Sequence, residues 1–218
     1  MLEEMKGSMK FQLKTQDIIL TLAYTAIYFL IIAVSAMLTV FLIPGYSFIF
    51  IPILIALLAG SVYYLLALKV PKFGAITLMA GVIGLFYLIS GRYPLAILLS
   101  ILFGLLADWI AQKGNYRDSK LLFISYLVFT FSNIGPVLPI FVFQSSYTDH
   151  IEGTGQSVSQ VQRVFSSINF TSALIVLLAL VIAGIIGAWI GRTLINKHFV
   201  QDEASGKLSL IHISEPTR

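Results

Sequence analysis

The distribution of charged residues along the chain constrains its fold more than any other feature. Between Asp17 and Lys197 the sequence divides into six long apolar segments, and lysine and arginine collect on alternate connections. Basic residues near membrane segments stay on the cytoplasmic side. The pattern therefore predicts an all-α, polytopic integral membrane protein with six transmembrane helices and cytoplasmic N- and C-termini. The basic residues that define it are Lys6, Lys10, Lys14, Lys69, Lys72, Lys113, Arg117, Lys120, Arg192, Lys197 and Lys207.

Composition supports the membrane class. Hydrophobic residues make up 58% of the 218 residues, charged residues make up 11%, and the mean hydropathy is +0.92. A soluble domain carries about 25% charged residues, so most of this surface is expected to face lipid. The net charge of +4 follows from topology and indicates no nucleic-acid partner. The absence of cysteine excludes disulfides and thiolate metal sites.

Six helices are predicted within one membrane domain over residues 1–207. A membrane-spanning helix needs about 20 mostly apolar residues, which gives helices at about 17–42, 47–68, 73–90, 94–111, 121–143 and 170–196. The first is too long for a cleavable signal peptide and is expected to stay as an anchor. The fifth contains Asn133, Gly135, Pro136 and Pro139, so we expect its outer half to be kinked or unwound.

Two stretches outside these helices carry separate expectations. Residues 157–167, in the long outer connection, have the spacing of a short amphipathic helix. The last eleven residues, 208–218 (LSLIHISEPTR), look like a translated sequencing adaptor. We interpret them as a non-native tail and set them aside.

Ionisable residues give little support for an enzyme. Asp108 is the only one within a predicted span, less than two turns from Lys113, and we expect it to pair with Lys113 or Arg117 at the inner surface. A proton relay would need acidic or histidine partners at similar depth, and none is evident. The motifs HExxH, GxSxG and a phosphate-binding glycine loop are absent. His150 is more typical of a solvated loop than of a metal site, so no catalytic residue, metal or cofactor is predicted.

Polar and aromatic residues gather at the predicted outer ends of the segments. Such a set suits a small polar ligand between aromatic walls, although aromatic residues also collect at membrane interfaces because they are amphipathic. A buried amide such as Asn133 needs partners, and a structural hydrogen bond to the Pro136 kink would explain it equally well. The candidate ligand-binding residues are Ser35, Tyr46, Arg92, Tyr93, Asn133, Gln144, Tyr147 and Asn169.

Small residues form ladders on the first and sixth segments. In lipid they let helices approach closely, and they serve either internal packing or, when they face outward, docking to another membrane protein. Internal packing is the commoner use of a lone GxxxG. The candidate docking residues are Leu22, Ala23, Ala26, Gly184, Gly187 and Gly191.

Three ordered motifs carry a resemblance to a known family. They are Lys14-Thr15-x-Asp17 with Thr25-Ala26-x-Tyr28-Phe29, then Gly104-x-x-Ala107-Asp108-x-Ile110 with Lys113-Gly114-Asn115-Tyr116, and Gly187-x-x-x-Gly191 with Lys197-His198-Phe199. Over about residues 13–199 the chain resembles the substrate-binding S components of energy-coupling factor (ECF) vitamin transporters, in the group called Trep_Strep.

The resemblance implies the substrate-capture subunit of an ABC-type importer in the bacterial cell membrane. Such a subunit binds a vitamin or vitamin precursor, here of the hydroxymethylpyrimidine or pyridoxine kind, near its outer face. It associates with a transmembrane coupling subunit and two cytoplasmic ATPases, and this chain has no ATP-binding motif of its own. The family's Ala-x-x-x-Ala docking motif reads Leu22-x-x-x-Ala26 here, so Ala23 on the neighbouring stripe is the substitute candidate.

Two other functions stay open on the sequence. A stand-alone permease or channel would normally show internal symmetry or paired broken helices, and only the fifth segment looks broken. A structural membrane protein would assemble through its glycine faces and bind no ligand.

Overall fold

The computed structural model describes residues 13–43, 46–153 and 169–213, and every regular element in these ranges is helical. One 3₁₀ turn, Phe131–Ile134, accompanies the α-helices. The α-helices are α1 (Thr15–Leu42), α2 (Ser47–Leu58), α3 (Gly60–Lys69), α4 (Ala75–Ile89), α5 (Leu95–Lys113), α6 (Ser119–Thr130), α7 (Leu138–Val142), α8 (Gln144–Gly153) and α9 (Phe170–Ile213).

Several of these helices have the length and composition of membrane spans. Three qualify by themselves: α1, α5 and residues Thr171–Ile195 of α9. Helices α2 and α3 qualify together as one span bent by 49°, whereas α4 and the Ser119–Ile134 segment are apolar but shorter. All six predicted apolar segments thus contain helical structure. The count of six spans and the cytoplasmic placement of both termini stay predictions.

The bend between α2 and α3 was not predicted. Pro52, the evident helix breaker, lies inside α2, and the interruption falls at the fully buried Ala59. Here α9 comes so close that a Cβ atom on Gly60 would lie 2.0 Å from the carbonyl oxygen of Gly187. The bend therefore lies at a backbone contact that only glycine permits.

The fifth segment is broken as predicted. Helix α6 ends at Thr130, the 3₁₀ turn follows, and a short α7 begins at Leu138. Pro136 has no N–H to donate to the Ser132 carbonyl, four residues earlier. That carbonyl instead accepts a hydrogen bond from Ser100 Oγ of α5, at 3.1 Å, so the break is supported by a neighbouring helix.

Two helical stretches differ from the predicted boundaries. Residues 144–153 form α8 where a loop was expected, and α9 extends beyond residue 196 to Ile213. The predicted amphipathic helix at 157–167 lies outside the described residues.

Buried tyrosines join the helices in the centre of the molecule. Tyr63 of α3 bonds Ser125 Oγ of α6 at 2.5 Å, and Ser125 Oγ in turn donates to the carbonyl of Ala107 in α5. Tyr126 OH donates to the Ala56 carbonyl at 2.6 Å. Phe129 completes this aromatic layer, with its ring centroid 4.9 Å from that of Tyr63. The phenols of Tyr63 and Tyr126 thus each have a hydrogen-bond partner inside the packed layer.

Asp108 joins three elements at the predicted inner end. It is fully buried. Its Oδ2 atom accepts hydrogen bonds from Gly74 N (2.8 Å), Thr77 N (3.0 Å) and Thr77 Oγ1 (2.8 Å), and its Oδ1 atom accepts one from Tyr116 OH (2.6 Å). Two of these donors are backbone amides at the start of α4, where the helix dipole favours a negative charge.

The predicted pairing of Asp108 with Lys113 or Arg117 is therefore wrong. No cation is among its hydrogen-bond partners in the described part of the chain, and Lys113 Nζ instead lies 3.5 Å from the centroid of the Trp109 ring. Burial and the adjacent carboxylate raise the pKa of Tyr116, so its phenol remains a neutral donor to Asp108. An ion pair is described at this end between Lys72 and Asp17, whose charged atoms lie 2.6 Å apart.

Candidate functional site

A cavity of about 490 Å³ opens at the predicted outer end, between α1, α2, the end of α4 and the break after α6. We call it the main cavity. Its walls are mostly aromatic and aliphatic, and its polar lining residues are few. Among the described lining residues are Phe29, Ala33, Ala36, Phe48, Pro52, Phe86, Tyr87, Ser90, Arg92, Asn133 and Pro136. Its size and lining match those of sites for small organic molecules.

Local sequence explains why space remains there. Ala33 and Ala36 of α1 have small side chains, and near Pro136 the fifth segment is not a continuous α-helix and so fills less space. Gly135 lets the broken segment approach α5, since a Cβ atom on it would lie 2.7 Å from Ala96 Cα. The break is thus fixed in place beside the cavity.

A buried network of Tyr28, Asn133 and Tyr87 forms the floor of the main cavity. Asn133 Nδ2 donates to Tyr28 OH of α1 at 2.8 Å, and Asn133 Oδ1 accepts from Tyr87 OH of α4 at 3.1 Å. The amide is 1% exposed. Its described partners are therefore two tyrosines, not the backbone of the Pro136 kink. One N–H of the amide remains for another acceptor.

A helix C-terminal motif positions Arg92 at the cavity wall. Gly91 has a left-handed φ of 72°. The N–H of Gly91 donates to Leu88 O at 3.1 Å, and that of Arg92 donates to Tyr87 O at 2.9 Å. This is the Schellman arrangement, which needs glycine at the left-handed position. Arg92 itself is half-buried and has no carboxylate or hydrogen-bond acceptor on its guanidinium among the described residues.

Helix α8 covers the turn that carries Arg92. Tyr93 OH and Ser146 Oγ are 2.8 Å apart, His150 Nε2 lies 3.1 Å from Gly91 O, and the rings of Tyr93 and His150 meet edge to face at 5.5 Å. Tyr147 of the same helix is buried beside Ile49 and Val137, and this burial raises its pKa. The helical form of this cover was not predicted, because residues 144–153 are too polar to suggest a packed helix.

The eight candidate ligand-binding residues do not form one site. Arg92 and Asn133 line the main cavity, and Tyr93 and Tyr147 lie in its cover. Gln144 and Asn169 line a second cavity of about 380 Å³ between α7 and α9. Tyr46 is exposed, and Ser35 is fully buried in α1 with no described partner for its hydroxyl.

The sequence analysis missed the aromatic residues of the main cavity and its floor, notably Tyr28, Phe29 and Tyr87. One signal could have located Tyr28. Thr21, Thr25, Tyr28, Ile32, Ser35 and Thr39 recur at intervals of three and four residues, and all are buried. A mostly polar stripe in an otherwise apolar membrane helix faces the protein interior.

The candidate docking residues separate into two groups. Leu22, Ala23 and Ala26 are exposed on α1. In contrast, Gly184, Gly187 and Gly191 are buried against this chain's own helices: a Cβ atom on Gly187 would lie 2.1 Å from Ala56 O. The assignment of the three glycines to a partner-docking surface is therefore corrected to internal packing.

Comparison with known proteins gives one family match. A family model described as "Hypothetical bacterial integral membrane protein (Trep_Strep)" matches residues 15–201. No curated protein and no solved structure matches the chain.

Proposed function

We propose that this chain, which belongs to the Trep_Strep family of bacterial integral membrane proteins, is the substrate-capture subunit of an ECF-type importer. In this proposal the main cavity binds a small vitamin-like molecule at the outer face. A partner coupling subunit and two cytoplasmic ATPases then drive its delivery. The observation that carries the proposal is the main cavity itself, which has a defined floor.

The packing below the cavity supports binding rather than conduction. Asn133, Tyr28 and Tyr87 form the floor, and the buried aromatic layer of Tyr63 and Phe129 follows beneath it. Tyr28 and Phe129 are in edge-to-face contact at 5.9 Å. A site that is closed on one side suits a capture subunit, which needs a partner to complete transport.

Exposed residues on α1 are consistent with docking to a partner protein in the membrane. Leu22 and Ala23 are exposed, and the small Ala26 lies one turn further along the same surface. Since the glycines of α9 are occupied internally, docking in this proposal uses α1 without them.

A stand-alone permease is the second candidate, and one observation favours it. The described residues contain two interrupted segments, the 49° bend between α2 and α3 and the break after α6. Paired interruptions of this kind are typical of secondary transporters. However, the bend packs against the α9 backbone at Gly187, while only the break after α6 lines the main cavity. The two interruptions therefore do not share one site.

Co-purification distinguishes these candidates. The tagged full chain would be extracted from its native membranes in mild detergent, and proteins eluting with it identified by mass spectrometry. We expect one multispanning protein and two ATPases at fixed stoichiometry. Elution of the chain alone, in repeated preparations and at low detergent, would contradict the capture-subunit proposal and favour the permease.

Filling the cavity tests its role directly. Ala36→Trp places a large ring at a residue that lines the main cavity, whereas Val34→Trp makes a comparable change at a residue that is 48% exposed on α1. Small molecules that co-purify with the wild-type protein would be detected by mass spectrometry after denaturation. We expect Ala36→Trp to lose them and Val34→Trp to retain them. Equal retention by both variants, with both still folded, would exclude the main cavity as the binding site.

A further inference from the structure

We propose that the main cavity selects a planar aromatic acid, whose carboxylate is bound by Arg92 and whose ring lies among the phenylalanines of the wall. This inference deepens the proposed function and rests on its binding half, because it assigns the chemical class of the captured molecule. Three features of the cavity support it: the charge of Arg92, the aromatic residues of the wall and the Asn133 amide in the floor.

Arg92 supplies the positive charge of the main cavity. It is the only ionisable cation among the described residues that line the main cavity, and no acidic residue is among them. The residue is half-buried, and its guanidinium has no acceptor in the described part of the chain. A guanidinium offers five N–H donors in a planar fork that matches a carboxylate. An anion in the cavity would supply the acceptors that the described residues do not.

The aromatic lining residues of the cavity indicate the shape of the ligand. Phe29 of α1 and Phe86 of α4 are in direct contact, with ring centroids 4.9 Å apart and ring planes tilted by 60°, and Phe48 lines the cavity from α2. Aromatic rings prefer offset or edge contacts with other rings. A flat ring therefore fits this wall better than a sugar, whose hydroxyls would find few partners among the lining side chains.

The floor supplies one further contact. Asn133 lines the cavity, and its bonds to Tyr28 and Tyr87 leave one amide N–H without an acceptor among the described residues. A ring nitrogen or ring carbonyl would satisfy it. A heteroaromatic monocarboxylate thus matches the three features together: a single cation, an aromatic wall and one neutral donor.

A matched pair of probes tests the charge. Pyridine-3-carboxylate and pyridine-3-carboxamide have the same ring and nearly the same size, but only the first carries a charge. Binding to the full chain would be measured by isothermal titration calorimetry in nanodiscs of phosphatidylcholine. We expect the carboxylate to bind about tenfold or more tightly than the carboxamide, since a charge-assisted bidentate pair is stronger than a neutral one.

Variants assign the preference to one residue. Arg92→Gln should abolish the preference for the carboxylate, and Arg92→Lys should retain part of it because the charge remains without the planar fork. Arg117→Gln is the control, since it removes the same charge from an exposed position in the connection between α5 and α6, and it should leave the preference unchanged. An equal affinity of the two probes for the wild type, a preference that persists in Arg92→Gln, or no binding of the carboxylate would each overturn the proposal.

Anionic lipid is the other source of a group that Arg92 could bind. Nanodiscs containing phosphatidylglycerol would compete with the carboxylate if a lipid phosphate were the natural occupant, and loss of carboxylate binding in them would contradict the proposal. We expect the affinity to be unchanged. This result is independent of the co-purification experiment. If ATPases co-purify but the carboxylate is not preferred, only the proposed ligand class is wrong. If the carboxylate is preferred but no partners co-purify, only the importer proposal is wrong.

Discussion

Asp108→Ala is expected to destabilise the protein by about 5 kcal/mol, because each buried donor left without a partner costs about 1–3 kcal/mol. The substitution strands the amides of Gly74 and Thr77, the Thr77 hydroxyl and the Tyr116 phenol. These groups join the start of α4 to the end of α5 and the following turn. Unfolding in SDS, followed by circular dichroism, would measure the change.

Asp108→Asn separates the acceptor role of Asp108 from its charge. In Asp108→Asn the amide oxygen can accept the bonds now made to Oδ2 and the NH₂ can donate to the Tyr116 oxygen, but the Tyr116 hydroxyl hydrogen loses its acceptor. We therefore expect a loss of about 2–3 kcal/mol, from one donor left without a partner and from the weaker neutral hydrogen bonds. Asp118→Ala is the control: it removes an exposed N-cap that accepts from Lys120 N and Leu121 N, at a cost of about 1 kcal/mol. If Asp108→Ala were as mild as Asp118→Ala, the joining role assigned to Asp108 would be wrong.

The second large effect is expected at Gly187. A Cβ atom there would lie 2.1 Å from Ala56 O and 2.9 Å from Leu57 O, and both are backbone atoms that no side-chain rotation can move. Helices α2 and α9 would have to separate. We expect Gly187→Ala to destabilise the protein by about 3 kcal/mol, which lowers the apparent melting temperature by about 6–12 °C.

Gly81→Ala is the matched control for Gly187→Ala. Gly81 also lies within a helix, but a Cβ atom there would have no described neighbour within 4 Å. Alanine should therefore be neutral or stabilise α4 by up to about 1 kcal/mol, its advantage in helix propensity. Thermal unfolding of both variants in the same detergent provides the comparison. Equal melting temperatures for the two variants would show that the contact between α2 and α9 can relax without cost.

Parts of the fold followed directly from the sequence. The apolar segments and their basic connections indicated a helical membrane protein, and the family match and the apolar helices agree with that class. The break in the fifth segment was also predictable, because Pro136 and Pro139 both lack a backbone N–H and the adjacent Gly135 has a low helix propensity. The bend at Ala59 was not, since neither Ala59 nor its neighbours break a helix as strongly as Pro52, which does not mark the interruption.

The candidate site was predicted only in part. Arg92 and Asn133 line the main cavity, but Gln144 and Asn169 line another, and the aromatic wall was missed. The sequence predicted how far along its helix each of these residues lies. It did not predict the rotation of each helix about its own axis, and this rotation decides whether two residues at the same depth come into contact.

The sequence by itself thus determined the membrane class, the helical content and the place where the fifth segment breaks, because hydropathy and proline chemistry act over neighbouring residues. Tertiary structure alone decided that Asp108 is held by neutral donors, that Gly187 serves an internal contact and that Asn133 lies between two tyrosines. Each of these depends on how helices distant in sequence are rotated and pressed together. Packing between their surfaces sets that arrangement, and no local pattern records it.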